Sequence, residues 1–195
     1  VGFYAPAVLA LLIQHIGISL ASLSVIRERL GGAYEFFEVS PLGTWELLAG
    51  KFLTYFGLVL GANLAVAGVL AIFLGVPIAG GVSMAALAMA LVTAASLGLG
   101  FRISALARSQ LQAVQVSMLL LIASVLFAGF LFPLSDMGQP AVGISYFLPA
   151  TYGIRSLQDI MIRGYGVPGF DVVGLLLIAA VCLVLARYIM GRKKP

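Results

Sequence analysis

Five stretches of this 195-residue chain are apolar over the roughly 20 residues that an α-helix needs to cross a bilayer. Only 9% of the residues are charged, whereas soluble domains carry about 25%. Inside a bilayer every backbone N–H and C=O must be paired within the protein, which favours helices. We therefore predict an all-α integral membrane protein, one transmembrane domain over 1–195, with spans at about 5–26, 47–74, 83–101, 112–132 and 170–190.

Lys and Arg are distributed unevenly between the connections. One side of the membrane holds only Arg155 and Arg163. The other side holds Arg27, Arg29, Lys51, Arg102, Arg108, Arg187, Arg192, Lys193 and Lys194. Short cytoplasmic loops carry the excess, so we expect the N-terminus outside and the C-terminus in the cytoplasm. These cations flank apolar runs instead of clustering on one polar face, so nucleic acid is not an expected partner.

The connection at 27–46 is the most charged and least apolar part of the chain. Within it Tyr34 and Phe37 are three residues apart, while Glu35 and Glu38 lie on the opposite side of a helix. The pattern predicts a short amphipathic helix on the cytoplasmic side, which Ser40 and Pro41 would end.

The outer segment at 133–169 is long, still apolar and repeatedly broken by Pro and Gly. We predict a re-entrant or interfacial helical pair here, whose second helix covers about 150–163. An apolar face of that helix would carry Ile154, Leu157, Ile160 and Met161. On another face Arg155, Asp159 and Arg163 recur every four residues, a spacing typical of an intrahelical ion-pair ladder. Binding of an anionic lipid head group or cargo is the alternative role of these three residues.

The string RERLGGAYEFFEVSPLGTWELLAGK at 27–51 is similar to the first cytoplasmic loop of type-2 permeases of ATP-binding cassette exporters. That family typically has Arg-Glu-Arg-Glu, then Gly-Thr, Glu, Ser/Thr-Pro and Glu-Leu-Leu before Gly-Lys. The chain departs from the pattern at Leu30 and Ala33, and the resemblance continues in segments 105–115 and 147–164. The matching positions are Arg27, Glu28, Arg29, Gly32, Glu35, Ser40, Pro41, Glu46, Leu47, Leu48, Gly50 and Lys51. Because the family's domain has six helices, we expect this chain to hold the last five, without the first transmembrane helix.

The resemblance implies a permease in the cell (plasma or inner) membrane that pairs with a second permease, identical or not, among membrane lipids. It implies no catalytic residue and no cofactor, because a separate ATPase subunit would bind ATP and Mg²⁺. A Walker A motif would need glycine where Trp45 stands. The loop would act as a coupling helix seated in that ATPase. Its expected coupling residues are Arg27, Glu28, Arg29, Gly32, Tyr34, Glu35, Phe37, Glu38, Ser40 and Pro41.

Several polar residues lie within the predicted spans, where such side chains are costly and often functional. The candidate pathway-lining residues are Gln14, His15, Asn63, Gln112 and Gln115. The alternative is that they form hydrogen bonds between packed helices. Gly57, Gly61 and Ala65 are spaced four apart, which predicts a close helix contact.

Three functions fit a chain of this kind. The leading hypothesis is export of amphiphilic, drug-like or lipid-linked cargo. A membrane-embedded enzyme would need a nucleophile and base, for which His15 with Ser19 or Ser22 is the one nearby pair. A secondary transporter would place an acid at the midplane and show an internal repeat, and neither pattern is present in the sequence.

Overall fold

The structure is a computed structural model that describes residues 4–31, 44–73 and 75–192. These ranges contain seven α-helices, one short 3-10 helix and no strand. Five of the helices are long and apolar enough to cross a membrane, which confirms the all-α class and the five predicted spans. They are α1 (Ala5–Leu30), α2 (Thr44–Phe73), α3 (Val82–Leu106), α4 (Gln110–Phe127) and α7 (Gly169–Arg192).

Helix α4 differs most from its predicted bounds, because it ends at Phe127 and not near residue 132. The Ala128 N–H still donates to the Ser124 carbonyl at 2.9 Å, but Gly129 then adopts φ +89°. A left-handed residue is a common way for a helix to end, and glycine adopts it without steric cost. The residues after Phe127 are still apolar, so hydropathy alone placed the end of this helix too late.

Helices α1, α3 and α7 form the centre of the bundle, with α3 packed against both of the others. Their backbones approach closely at glycines. A Cβ on Gly100 of α3 would lie 2.6 Å from the Ala21 Cβ and 2.7 Å from the Ile18 carbonyl oxygen of α1. A Cβ on Gly98 would lie 3.1 Å from the Ala179 carbonyl oxygen of α7. Small residues at such crossings allow tight packing where lipid provides no hydrophobic drive.

Helices α2 and α4 lie at the periphery and expose large apolar side chains such as Leu53 and Leu119. Gly57 and Gly61 of α2 are also exposed, and a Cβ on either would meet nothing within 4 Å. The close helix contact predicted from their spacing is therefore not made within the described chain.

The segment between α4 and α7 contains a 3-10 helix (Leu134–Asp136), α5 (Gln139–Ser145) and α6 (Pro149–Met161). Helix α6 packs against α1, α3 and α7, and its predicted apolar face is buried. With 13 residues it is about 20 Å long, which is too short to cross a bilayer.

Candidate functional site

The buried side chain of Gln14 joins three helices near the start of α6. Its Nε2 donates to the Ser124 Oγ of α4 at 2.6 Å, and its Oε1 accepts from the Ala150 N–H at 2.7 Å. The first N–H groups of a helix have no partner within that helix, so Gln14 satisfies one such donor of α6. The residue predicted to line a pathway thus holds α6 against α1 and α4.

The two ends of α6 lie at different levels along the bundle. Gln14 is nine residues into α1, about 13 Å along its axis from Ala5. At the opposite end, the Gly80 N–H of the α2–α3 connection donates to the Ile160 carbonyl at 2.8 Å. A Cβ on Gly80 would lie 2.9 Å from that same oxygen, so only glycine allows this approach. Helix α6 therefore runs from inside the bundle to the end where α1 begins.

An ion pair joins the middle of α6 to the first turn of α7. The Asp171 carboxylate is fully buried and accepts from the Arg155 Nε at 3.1 Å, from the Arg155 Nη2 and from the Ser156 Oγ at 3.1 Å. The bond to Asp171 raises the pKa of Arg155, although burial lowers it. The Arg155 guanidinium also lies 5.5 Å from the centre of the Phe170 ring.

The sequence predicted two ion pairs with Asp159, one to Arg155 and one to Arg163. Of these the pair with Arg163 forms, and the Arg163 Nη1 donates to Asp159. Arg155 instead makes its side-chain hydrogen bonds to Asp171, 16 residues further along the chain. Sequence reasoning missed Asp171 because it considered only residues on the same helix. Asp171 lies in the first turn of a span and follows a segment, 133–169, that holds two arginines, and this was the available signal.

Aromatic side chains complete the junction of α5, α6 and α7. The Tyr152 hydroxyl donates to the Tyr146 carbonyl at 3.0 Å, and both rings lie within 6.2 Å of the Phe170 ring. Burial is the main cause that raises the pKa of Tyr152. A Cβ on Gly174 would lie 2.4 Å from the Tyr152 ring, so α7 needs a glycine here.

His15 and Asn63 have unpaired buried atoms. Within the described residues, neither the His15 Nδ1 nor the Asn63 Oδ1 has a hydrogen-bond partner. The Asn63 Nδ2 donates to the Val59 carbonyl of its own helix at 2.7 Å. Ser19 donates to Ser117 of α4 at 3.4 Å, and no hydrogen bond joins it to His15 in the described part of the chain.

The two remaining pathway candidates lie in the first turns of α4. Gln112 is part of the helix cap, because its Oε1 accepts from the Arg108 N–H at 2.8 Å while its own N–H donates to the Ser109 Oγ at 3.1 Å. Gln115 is exposed. The five candidates are thus spread over three helices, and no hydrogen bond between any two of them occurs among the described residues.

The most charged connection, 27–46, is called the charged loop below. At the end of the bundle where it lies, side chains of three helices contact one another. Glu28 of α1 forms an ion pair with Lys51 of α2. The Arg187 guanidinium of α7 lies 5.5 Å from the centre of the Trp45 ring. Arg27 is exposed and Arg29 lies within α1. The other predicted coupling residues lie outside the described residues: Gly32, Tyr34, Glu35, Phe37, Glu38, Ser40 and Pro41.

Five helices long and apolar enough to cross a membrane, with a short helix packed against three of them, define a multi-pass membrane protein. Residues 1–162 match the model of the ABC-2 type transporter family, and the chain belongs to that family. This confirms the resemblance seen in the charged loop.

Curated relatives agree with the family. The chain is 30% identical over 179 residues to the probable multidrug ABC transporter permease YbhS of Escherichia coli K12, covering 91% of this chain and 47% of that protein. It is 31% identical over 167 residues to the inner membrane transport permease YhhJ of the same strain, covering 83% of this chain and 42% of that protein. Over 167 residues it is 28% identical to the ABC transporter G family member 20 of Dictyostelium discoideum, covering 85% of this chain and 23% of that protein. The chain thus spans less than half the length of these relatives, which are named as transporters or permeases and not as enzymes.

Proposed function

We propose that this chain forms part of the membrane pathway of an ATP-binding cassette exporter and is driven by a separate ATPase subunit that binds ATP and Mg²⁺. The observation that carries the proposal is α6, a short helix held inside the bundle of an ABC-2 family member by Gln14. Drug-like or other amphiphilic cargo is supported by the multidrug names of relatives. The acids in the described chain also lie at helix ends or in the segment between α4 and α7, where they leave the middle of the five spans uncharged.

In this exporter α5 and α6 would form a re-entrant pair that enters the membrane from outside. Three features support it: α6 is too short to cross, its first turn meets Gln14 in the interior, and its last turn meets the α2–α3 connection. The asymmetric distribution of Lys and Arg supports an outer location for this end of the bundle.

Helix α1 is the proposed link between the ATPase and α6. It begins beside α6 and ends at the charged loop, where Glu28 pairs with Lys51. Packed helices shift as nearly rigid bodies, so movement of a loop seated in the ATPase would tilt α1. Gln14 would then carry that movement to α6 and open the pathway outwards. Exposed apolar faces of α2 and α4 leave surface for a second permease and for lipid.

The coupling step is tested by Phe37→Ala and Glu35→Lys. Aromatic residues at the centre of an interface often carry much of its binding energy, and truncating one costs about 2 kcal/mol, near a thirtyfold loss of affinity. We expect both variants to insert normally but to lose co-purification with the ATPase or cargo-stimulated hydrolysis.

Phe147→Ala is the matched control, because Phe147 is an exposed aromatic on the α5–α6 connection, away from the end of the bundle that holds the charged loop. It should keep the ATPase. If the two loop variants assemble and transport as well as this control, the loop is only a connector and the proposed coupling is wrong.

A further inference from the structure

A cleft of about 420 Å³ opens beside α6 at the end of the bundle where α1 begins. Two cationic side chains line it, Arg155 of α6 and Arg163 two residues beyond the end of that helix. Apolar and aromatic residues form much of the remaining wall, among them Tyr4, Phe130, Leu134 and Ile154. A charged edge thus meets an apolar wall in one cavity.

Two ion pairs, Arg155–Asp171 and Arg163–Asp159, lie at the cleft. Their arginines line it, whereas their carboxylates are buried or nearly so. The side chains of Arg155 and Arg163 are 36% and 61% exposed, whereas those of Asp171 and Asp159 are 0% and 14% exposed. No carboxylate is among the described residues that line the cleft. An anion entering it would therefore meet guanidinium groups first.

Both arginines retain the capacity to bind an anion. Arg155 is fixed by Asp171 through two of its five N–H donors, which leaves a positioned fork with donors to spare. Arg163 is paired with Asp159 in an exposed i,i+4 contact, a kind of pair that is weak and easily exchanged. Arginine forks match the oxygens of phosphate, sulfate and carboxylate groups.

Exposed aromatic side chains surround this end of the bundle. Tyr4, Phe132, Tyr165 and Phe170 each expose more than half of their surface. Such side chains collect at the membrane–water interface, where lipid head groups lie. The cleft is therefore at the level where the head of an amphiphile meets its apolar tail.

We propose that this cleft binds the anionic head group of an amphiphile, with Arg155 and Arg163 contacting the oxyanion and the tail lying along the apolar wall. The amphiphile comes either from the surrounding bilayer or from the exported cargo. Binding at this site does not depend on the proposed coupling to an ATPase. Only the idea that the amphiphile is exported cargo rests on that proposed function.

The test is calorimetric titration of the purified full chain, in a neutral detergent, with dodecyl phosphate. Arg163→Gln removes the more exposed cation and should weaken binding about fivefold or more. Arg108→Gln is the matched control, since Arg108 is an exposed cation between α3 and α4 at the opposite end of the bundle, and it should bind like the parent chain. Asp159→Asn removes the competing carboxylate and should tighten binding, which a merely structural role of the pair does not predict.

Equal affinity of the Arg163 and Arg108 variants for dodecyl phosphate would overturn the proposal. So would inorganic phosphate binding as tightly as dodecyl phosphate, because the apolar wall would then have no part. Native mass spectrometry with phosphatidylglycerol as competitor separates the two sources. Displacement of dodecyl phosphate by this lipid upholds a bilayer source, and binding of the single-chain amphiphile without displacement upholds a cargo source. No ATPase is needed, so failure here leaves the coupling proposal standing.

Discussion

At the scale of single residues, neighbouring polar side chains in one span have opposite surroundings. Gln14 satisfies both ends of its amide across two other helices, whereas the His15 Nδ1 has no partner among the described residues. The sequence predicts that polar groups in a span are functional or hydrogen bonded, but it does not say which neighbour supplies the bond. That depends on the position of α6, which is set by contacts far apart in the chain.

Gln14→Leu should destabilise the protein by about 1–3 kcal/mol, because two interhelical hydrogen bonds are lost and the buried Ala150 N–H is left unpaired. His15→Leu at the next position is the control and should not destabilise the protein, because it removes a buried Nδ1 that has no partner among the described residues. Unfolding in mixed detergent micelles measures both. Equal stability of the two variants would mean that Gln14 does not hold α6 in place.

Asp171→Asn should be more damaging, because it leaves the partly buried Arg155 without its countercharge. Removing one member of a fully buried pair costs about 3–5 kcal/mol, and we expect part of that here because the Arg155 side chain is 36% exposed. Replacing both members of such a pair by apolar residues is often tolerated. We therefore expect the double variant Arg155→Met with Asp171→Leu to recover most of the loss in the same unfolding assay.

Asp159→Asn is the control for that series, since it breaks a more exposed pair on α6 and should cost less than about 1 kcal/mol. A loss of similar size at Asp159 and Asp171 would show that burial of the carboxylate is not what matters.

At the scale of helices, glycine has different roles in different spans. Gly100 sits where α3 crosses α1, while Gly61 lies on the open face of α2. The four-residue spacing of small residues predicted a close helix contact for α2, yet the close contact at Gly100 is made by α3. Spacing alone does not show which face of a helix meets another helix.

Gly100→Ala should destabilise the protein by about 1–3 kcal/mol, because the added Cβ would overlap the Ile18 carbonyl, a backbone atom that cannot rotate away. Gly61→Ala should be neutral or slightly stabilising, since nothing lies within 4 Å and alanine favours the helix. Thermal unfolding of the monomeric protein in detergent compares the two. A greater loss at Gly61 would contradict the observed packing.

At the scale of the whole molecule, the proposed orientation rests on nine cations in the connections of one side against two in those of the other. Single cysteines at Gly43 and Ser109 should be shielded from an impermeant thiol reagent in intact cells, and one at Gly138 should react. The natural Cys182 is buried, so background labelling should be low. Labelling at Gly43 from outside would invert the orientation and remove the loop from reach of a cytoplasmic ATPase.

The number and class of the spans followed from the sequence alone. Apolar length is a local property, and a bilayer allows few backbone solutions for it. The charged loop also carried enough of a pattern to indicate the family, which the match over residues 1–162 confirms.

Only the tertiary structure decided which helices are central, that Gln14 caps α6, that Arg155 pairs with Asp171, and that two arginines share a cleft. Each of these depends on residues from different helices meeting in space. Helical periodicity gives the face of a residue within its own helix, but the partner of that face is fixed by how the whole bundle packs.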